Sequence, residues 1–131
     1  MESNNKERIN EDIITNSEIK KIDKCLYKVS KSICKIITSK NGATGFLIKL
    51  YKGNKPFYCL MTNEHVIRKE IIELKEKIEI YYDNEYERRE IELNKEERYI
   101  KDYKYKDIDI IIIEIKEEDN INIKIIFYYQ I

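Results

Sequence analysis

The chain has no net charge, one histidine, no tryptophan and no apolar run approaching the length of a membrane span. Each absence removes a class of function. Lys and Arg number 25 and Asp and Glu also number 25, whereas a dedicated nucleic-acid binder carries a basic excess to neutralise phosphates. No nucleic-acid partner is expected. The same balance leaves no long-range field to steer a charged substrate. Crossing a bilayer takes about 20 predominantly apolar residues, and Met1 to Asn16 is polar and charged, unlike the apolar core of a secretory signal. Cys25, Cys34 and Cys59 are an odd set that cannot all pair within the chain. An intracellular, reducing compartment with no membrane partner is therefore expected.

Metal and cofactor signatures are missing too. The three cysteines contain no C-x₂₋₄-C pair to place beside His65, so a zinc site is not expected. Gly42-Ala43-Thr44-Gly45 lacks the lysine and spacing of a phosphate loop. Cys59 lies inside a β-prone run, where a buried structural thiol is expected rather than a nucleophile. There is no repeat and no low-complexity linker. With 131 residues one domain is expected, and a chain of this size buries roughly two-thirds of its unfolded surface on folding.

Residues 1–16 read as a polar tail, followed by a single domain over 17–131. From Ser17, which suits a helix cap, Ile19, Ile22, Leu26 and Val29 recur at steps of three and four, with Lys20, Lys21, Lys24 and Lys28 on the other face. This predicts a short amphipathic helix packed on the domain. A helix lying on a membrane is disfavoured by the narrow apolar face without Trp or Phe. Ser32 to Ser39 reads as a first strand and Lys40-Asn41-Gly42 as a turn. Arg68 to Lys77 suits either a short helix or a loop. Lys77 to Tyr82 and Tyr86 to Leu93 alternate polar and apolar around an Asp83-Asn84-Glu85 turn, as paired strands with one wet face do. Asn94 to Lys106 reads as a long loop. Asp109 to Ile115, nearly continuous isoleucine, reads as a strand buried on both faces or set in a barrel wall. Lys116 to Asn120 is a turn and Ile121 to Ile131 a last β-prone segment. The expected fold class is all-β, an antiparallel β-barrel preceded by a short amphipathic helix.

The centre of the sequence is Gly42 to Ile67. Gly42 and Gly45 punctuate the start of a strand through Tyr51. Lys52-Gly53-Asn54-Lys55-Pro56 is turn chemistry, and Phe57 to Thr62 is the returning strand. The composition then changes to Asn63-Glu64-His65-Val66-Ile67, which sets the only histidine on a turn that Asn63 suits as a cap.

Three pieces of this chain resemble the N-terminal part of trypsin-like serine peptidases, in a variant closer to the HtrA-like, disulfide-free branch. Gly42-Ala43-Thr44-Gly45-Phe46-Leu47-Ile48 is similar to the family's G-x-G-F-h-I strand. Leu60-Met61-Thr62-Asn63-Glu64-His65-Val66-Ile67 is similar to its h-h-T-x-x-H-h-h strand and turn. Asp109 to Ile115 is similar to the strand that opens with the triad aspartate. The resemblance spans roughly residues 30–120. It implies the N-terminal barrel of the two-barrel fold, with the second barrel outside these residues. It further implies serine endopeptidase activity, peptide or protein substrates, and no cofactor or metal. His65 would be the general acid–base and Asp109 the carboxylate that orients it and stabilises the imidazolium. Asp107 competes for the second role, and the register of the isoleucine run favours Asp109.

The nucleophile of that family has no counterpart here. Ser3, Ser17, Ser30, Ser32 and Ser39 all precede the hairpin, and none sits in a G-x-S-G setting. The oxyanion hole and specificity pocket, which the resembled family takes from its second barrel, are missing as well. The chain alone is therefore expected to be inactive. Two readings stay open: the His–Asp half of a serine endopeptidase, and a non-catalytic β-barrel binding module derived from one. The apolar segment Ile121 to Ile131 favours the former.

Overall fold

A computed structural model describes residues 15–121 and 129–130 of the chain. It opens with helix α1, Asn16–Ser32. Thr15 caps it, not Ser17: the Thr15 hydroxyl accepts from the Glu18 amide at 3.2 Å, and the Glu18 carboxylate accepts from the Thr15 amide at 3.1 Å. This reciprocal pair satisfies two of the amides that a helix start leaves open. The helix does not pack along the domain as its apolar spacing predicts. Ile19, Ile22 and Leu26 are 43%, 46% and 60% exposed, and burial begins only in the last turn, where Val29 is half-buried and Ser32 buried.

Seven strands follow in one antiparallel sheet: β1 Ile33–Ile37, β2 Gly42–Lys52, β3 Lys55–Thr62, β4 Lys77–Tyr82, β5 Glu87–Glu92, β6 Ile100–Asp102 and β7 Ile111–Glu114. Their order is β5-β4-β1-β2-β3-β7-β6. A two-residue strand β8, Tyr129–Gln130, runs parallel to β2 at Ile48 and Lys49. The remainder of the β-prone segment Ile121 to Ile131 lies outside the described residues beyond Ile121. Helix α2, Lys69–Glu73, resolves the ambiguous stretch after His65 in favour of a short helix.

The sheet curls into a half-barrel. The turn after β7 returns to the β5 edge, where Arg89 Nε donates to the Asn120 carbonyl at 3.2 Å. Period-two alternation supplies the enclosed face. Ile36, Leu47, Leu60, Ile78, Ile80, Ile91, Ile111 and Ile113 are all at most 1% exposed. Of the two readings of the isoleucine run, the barrel wall holds and burial on both faces does not: Ile111 and Ile113 point inward, while Ile112 and Glu114 are half-buried on the outer face. Likewise the loop expected over Asn94 to Lys106 contains edge strand β6 and a 3₁₀ turn at Lys104–Lys106.

The central hairpin has the expected form. Lys52 faces Lys55 across a two-residue loop, and Gly53 takes φ 65°. Positive φ at the first central residue is the glycine-requiring geometry whose twist matches the strands it joins. Beyond β3, Val66 and Ile67 turn inward at 4% and 0% exposure, as do Ile71 and Ile72 of α2. They close one end of the half-barrel and give the histidine turn a packed floor.

Candidate active site

His65 sits in the turn between β3 and α2, with its neighbours Val66 and Ile67 inside the core and its own side chain 62% exposed. The apolar pair anchors the turn, so the polar residues before it are held at the surface on a fixed backbone. The Val66 amide donates to the Asn63 carbonyl at 3.1 Å, which closes the turn. Arg68 Nε donates to the His65 carbonyl at 3.2 Å from the other side.

Asp109 reaches this turn because of strand register. Strand β7 pairs antiparallel with β3, its first residue Ile111 opposite Thr62. Continued two steps beyond the ladder, that register sets Asp109 across from Glu64. The connection before β7 is itself pinned: the Tyr103 amide donates to the Ile110 carbonyl at 3.0 Å, and the Ile108 amide to the Tyr103 carbonyl at 3.2 Å. Asp109 therefore lies two residues before the strand, not at its first position, and its side chain is 47% exposed.

The two side chains meet. His65 Nδ1 lies 2.5 Å from Asp109 Oδ2, and the His65 amide donates to Oδ1 at 2.9 Å. The His65 amide, then its ring, then the Glu64 amide hold the Asp109 carboxyl below the usual aspartate value of 3.8. With the carboxylate ionised at neutral pH, the shared proton belongs on Nδ1, which makes Nε2 the ring's acceptor. An imidazole in that tautomer can take a proton at Nε2 while the carboxylate stabilises the resulting cation.

Asp107 does not take part. It occupies a left-handed position, φ 57°, ending the 3₁₀ turn, and its amide donates to the Lys104 carbonyl at 2.9 Å. The cysteines do not gather at His65 either: Cys34 is buried in β1 and Cys59 in β3, and burial raises both thiols to about 12. At that value the thiolate needed for nucleophilic attack is scarce at neutral pH. Among the described residues, no three His, Cys, Asp or Glu side chains gather as a metal site requires. The serines Ser17, Ser30 and Ser32 belong to α1 and Ser39 to the β1–β2 turn. A recess of about 650 Å³ between Ser30, Ile33, Thr44, Tyr81 and Asn84 does not include either member of the pair.

One contact escapes sequence reasoning. The Asn63 side chain does not cap its own turn; its Nδ2 donates to the Asp109 carbonyl at 3.0 Å. Nothing local marks a bond between residues 46 positions apart.

Compared with known proteins, the chain matches no family model, no curated protein and no solved structure.

Proposed function

We propose that this chain supplies the general acid–base half of a serine endopeptidase site of the trypsin-like kind, with His65 moving the proton and Asp109 orienting it. One observation supports this reading above others: the ring and amide of His65 both engage the Asp109 carboxylate, at 2.5 and 2.9 Å. That two-point grip selects one tautomer and one ring orientation, which is what an acid–base histidine needs and a solvated surface histidine does not. The substrates would be peptides or proteins. All five serines precede β2, so the nucleophile and oxyanion donors would come from polypeptide beyond Asp109 in the same reading frame, in the chain order His, Asp, Ser.

The test is to read the native message past the codon for Ile131 and assay the whole translation product on a mixed peptide library. Under the proposal a serine-bearing segment follows and hydrolysis is measurable. Asp109→Asn then lowers kcat by about 10⁴-fold and His65→Ala by about 10⁶-fold. The 131-residue chain alone should hydrolyse nothing. A stop after Ile131 would end the enzymatic reading.

A second reading, a non-catalytic half-barrel used for binding, is favoured by a different observation. The face of α1 bearing Ile19, Ile22 and Leu26 is exposed rather than packed on the domain, and exposed apolar surface of this kind serves association. A monodisperse monomer without peptidase activity in its full native form would support it.

A further inference from the structure

We propose that Asn63 is a positioning residue for the His65–Asp109 pair, acting through the backbone of Asp109 and not through the histidine; the inference rests on the pair described above. Its main chain and side chain do separate work. The Asn63 carbonyl closes the His65 turn by accepting from Val66 at 3.1 Å. The side-chain amide leaves that turn and donates to the Asp109 carbonyl at 3.0 Å. One residue thus fixes both loops in a common frame.

The need for such a device follows from the register. The β3–β7 ladder stops at Thr62 and Ile111. Asp109 lies outside it, just after the left-handed Asp107 and next to a tight Ile110-to-Ile108 contact of 2.9 Å. The bonds at Ile108 and Ile110 pin the chain on either side of Asp109, and the orientation of the Asp109 peptide between them decides whether its carboxylate faces the ring. The Asn63 amide replaces the missing ladder bond with a side-chain bond. The chemistry also accounts for the residue type. The acceptor is a carbonyl oxygen, so a donor is required. A short side chain must span to it from the strand end, and a carboxylate at the same place would face both that carbonyl and Asp109 without a proton to give.

His65 is the only histidine in the chain, so a single imidazole reports on the pair. The experiment is ¹H–¹⁵N spectroscopy of the full chain labelled at histidine, following the Nδ1-bound proton and its exchange with solvent. Wild type is expected to show one far-downfield Nδ1 proton, and Asp109→Asn to lose it. Asn63→Asp, isosteric but without the donor, and Asn63→Ala should broaden that resonance and exchange it about tenfold faster or more, the size of effect one lost hydrogen bond gives. Both should keep wild-type far-ultraviolet circular dichroism and unfold within a few degrees of it. Wild-type exchange in both variants would overturn the role of Asn63 while leaving the pair intact. Variants that fail to fold would also overturn it, because the bond would then serve stability and not orientation. An absent Nδ1 proton in wild type itself would remove the pair, and with it both this inference and the acid–base reading.

Discussion

Asp109 carries two charge-assisted bonds from one residue, the His65 amide and ring, with the Glu64 amide adding to them. Donors aimed at a carboxylate favour its ionised form, so the folded protein holds Asp109 below the ordinary value of 3.8. A depressed folded-state value means the unfolded chain binds the proton more readily. Asp109 therefore contributes stability that is fully present above 3.8 and lost as pH falls through the lower folded-state value. Glu79, depressed by its bond from Arg88 and then by Tyr81, titrates in the same acid region. The Asp109 share is isolated by comparing wild type with Asp109→Asn in thermal unfolding from neutral to strongly acidic pH. The two curves should separate above the carboxylate range and converge in acid. Because the side chain is 47% exposed, added salt should narrow the gap. Parallel curves at all pH values would contradict the assignment.

At the scale of elements, the hairpin of β2 and β3 sets the site, and Gly45 is the most tightly enclosed of its glycines. A Cβ there would stand 2.6 Å from Ile36 Cδ1, 2.9 Å from Leu60 Cδ1 and 3.2 Å from the Met61 carbonyl oxygen. Ile36 and Leu60 are fully buried, so neither side chain has open space to retreat into. Gly45→Ala is expected to cost about 1–3 kcal/mol through overpacking, read as a lower urea midpoint. A neutral result would mean β2 and β3 can separate at this point without loss. The same hairpin explains why α1 stands apart. The inward positions of β1 and β2 are filled by the curled sheet's own side chains, Cys34, Ile36 and Leu47. The enclosed face of the sheet therefore has no room for the Ile19–Ile22–Leu26 stripe.

At the scale of the molecule, the half-barrel is drawn together by a part-buried ion pair far from the histidine in sequence. Arg98 binds Asp119 through two bonds of 2.6 and 2.9 Å. It also donates to the Glu114 carbonyl at 2.7 Å and the Glu92 carbonyl at 3.2 Å. The two side chains are only 10% and 8% exposed. One guanidinium thus ties the ends of β5 and β7 to the turn that approaches the opposite edge. Removing the guanidinium strands a part-buried carboxylate and takes the donor from two carbonyls, and hydrogen bonds to charged groups are worth about 1.5–3 kcal/mol. Arg98→Ala should lose that much in urea unfolding, a sizeable part of the roughly 5–15 kcal/mol typical of a domain. Arg98→Lys should recover little, since a single ammonium cannot reproduce the planar fork. A loss below about 1 kcal/mol, as for an exposed pair, would show that the clamp is dispensable.

Much of the fold is legible in the residues alone. The alternation of Lys77 to Tyr82, the Gly53 turn and the polar-to-apolar switch around His65 act over a few positions, where side-chain period and backbone φ decide the outcome. The all-β class, the leading helix and the surface turn bearing His65 follow from those local rules. Other features depend on contacts that no short window contains. The isoleucines of β7 look alike in sequence, and only the curl of the sheet sends Ile111 and Ile113 inward and leaves Ile112 half outside. Helical spacing marks the apolar stripe of α1 but does not say whether a surface exists to receive it. Asp107 and Asp109 are told apart by the left-handed turn conformation of Asp107 itself and by the register Asp109 shares with β3, both products of the assembled sheet. The His65–Asp109 bond joins residues 44 apart, and the Asn63 bond residues 46 apart. Local periodicity has a free energy that each segment carries wherever it sits. Register, clamping and the aim of a carboxylate are set by the summed packing of all the strands, so they exist only once the half-barrel has closed.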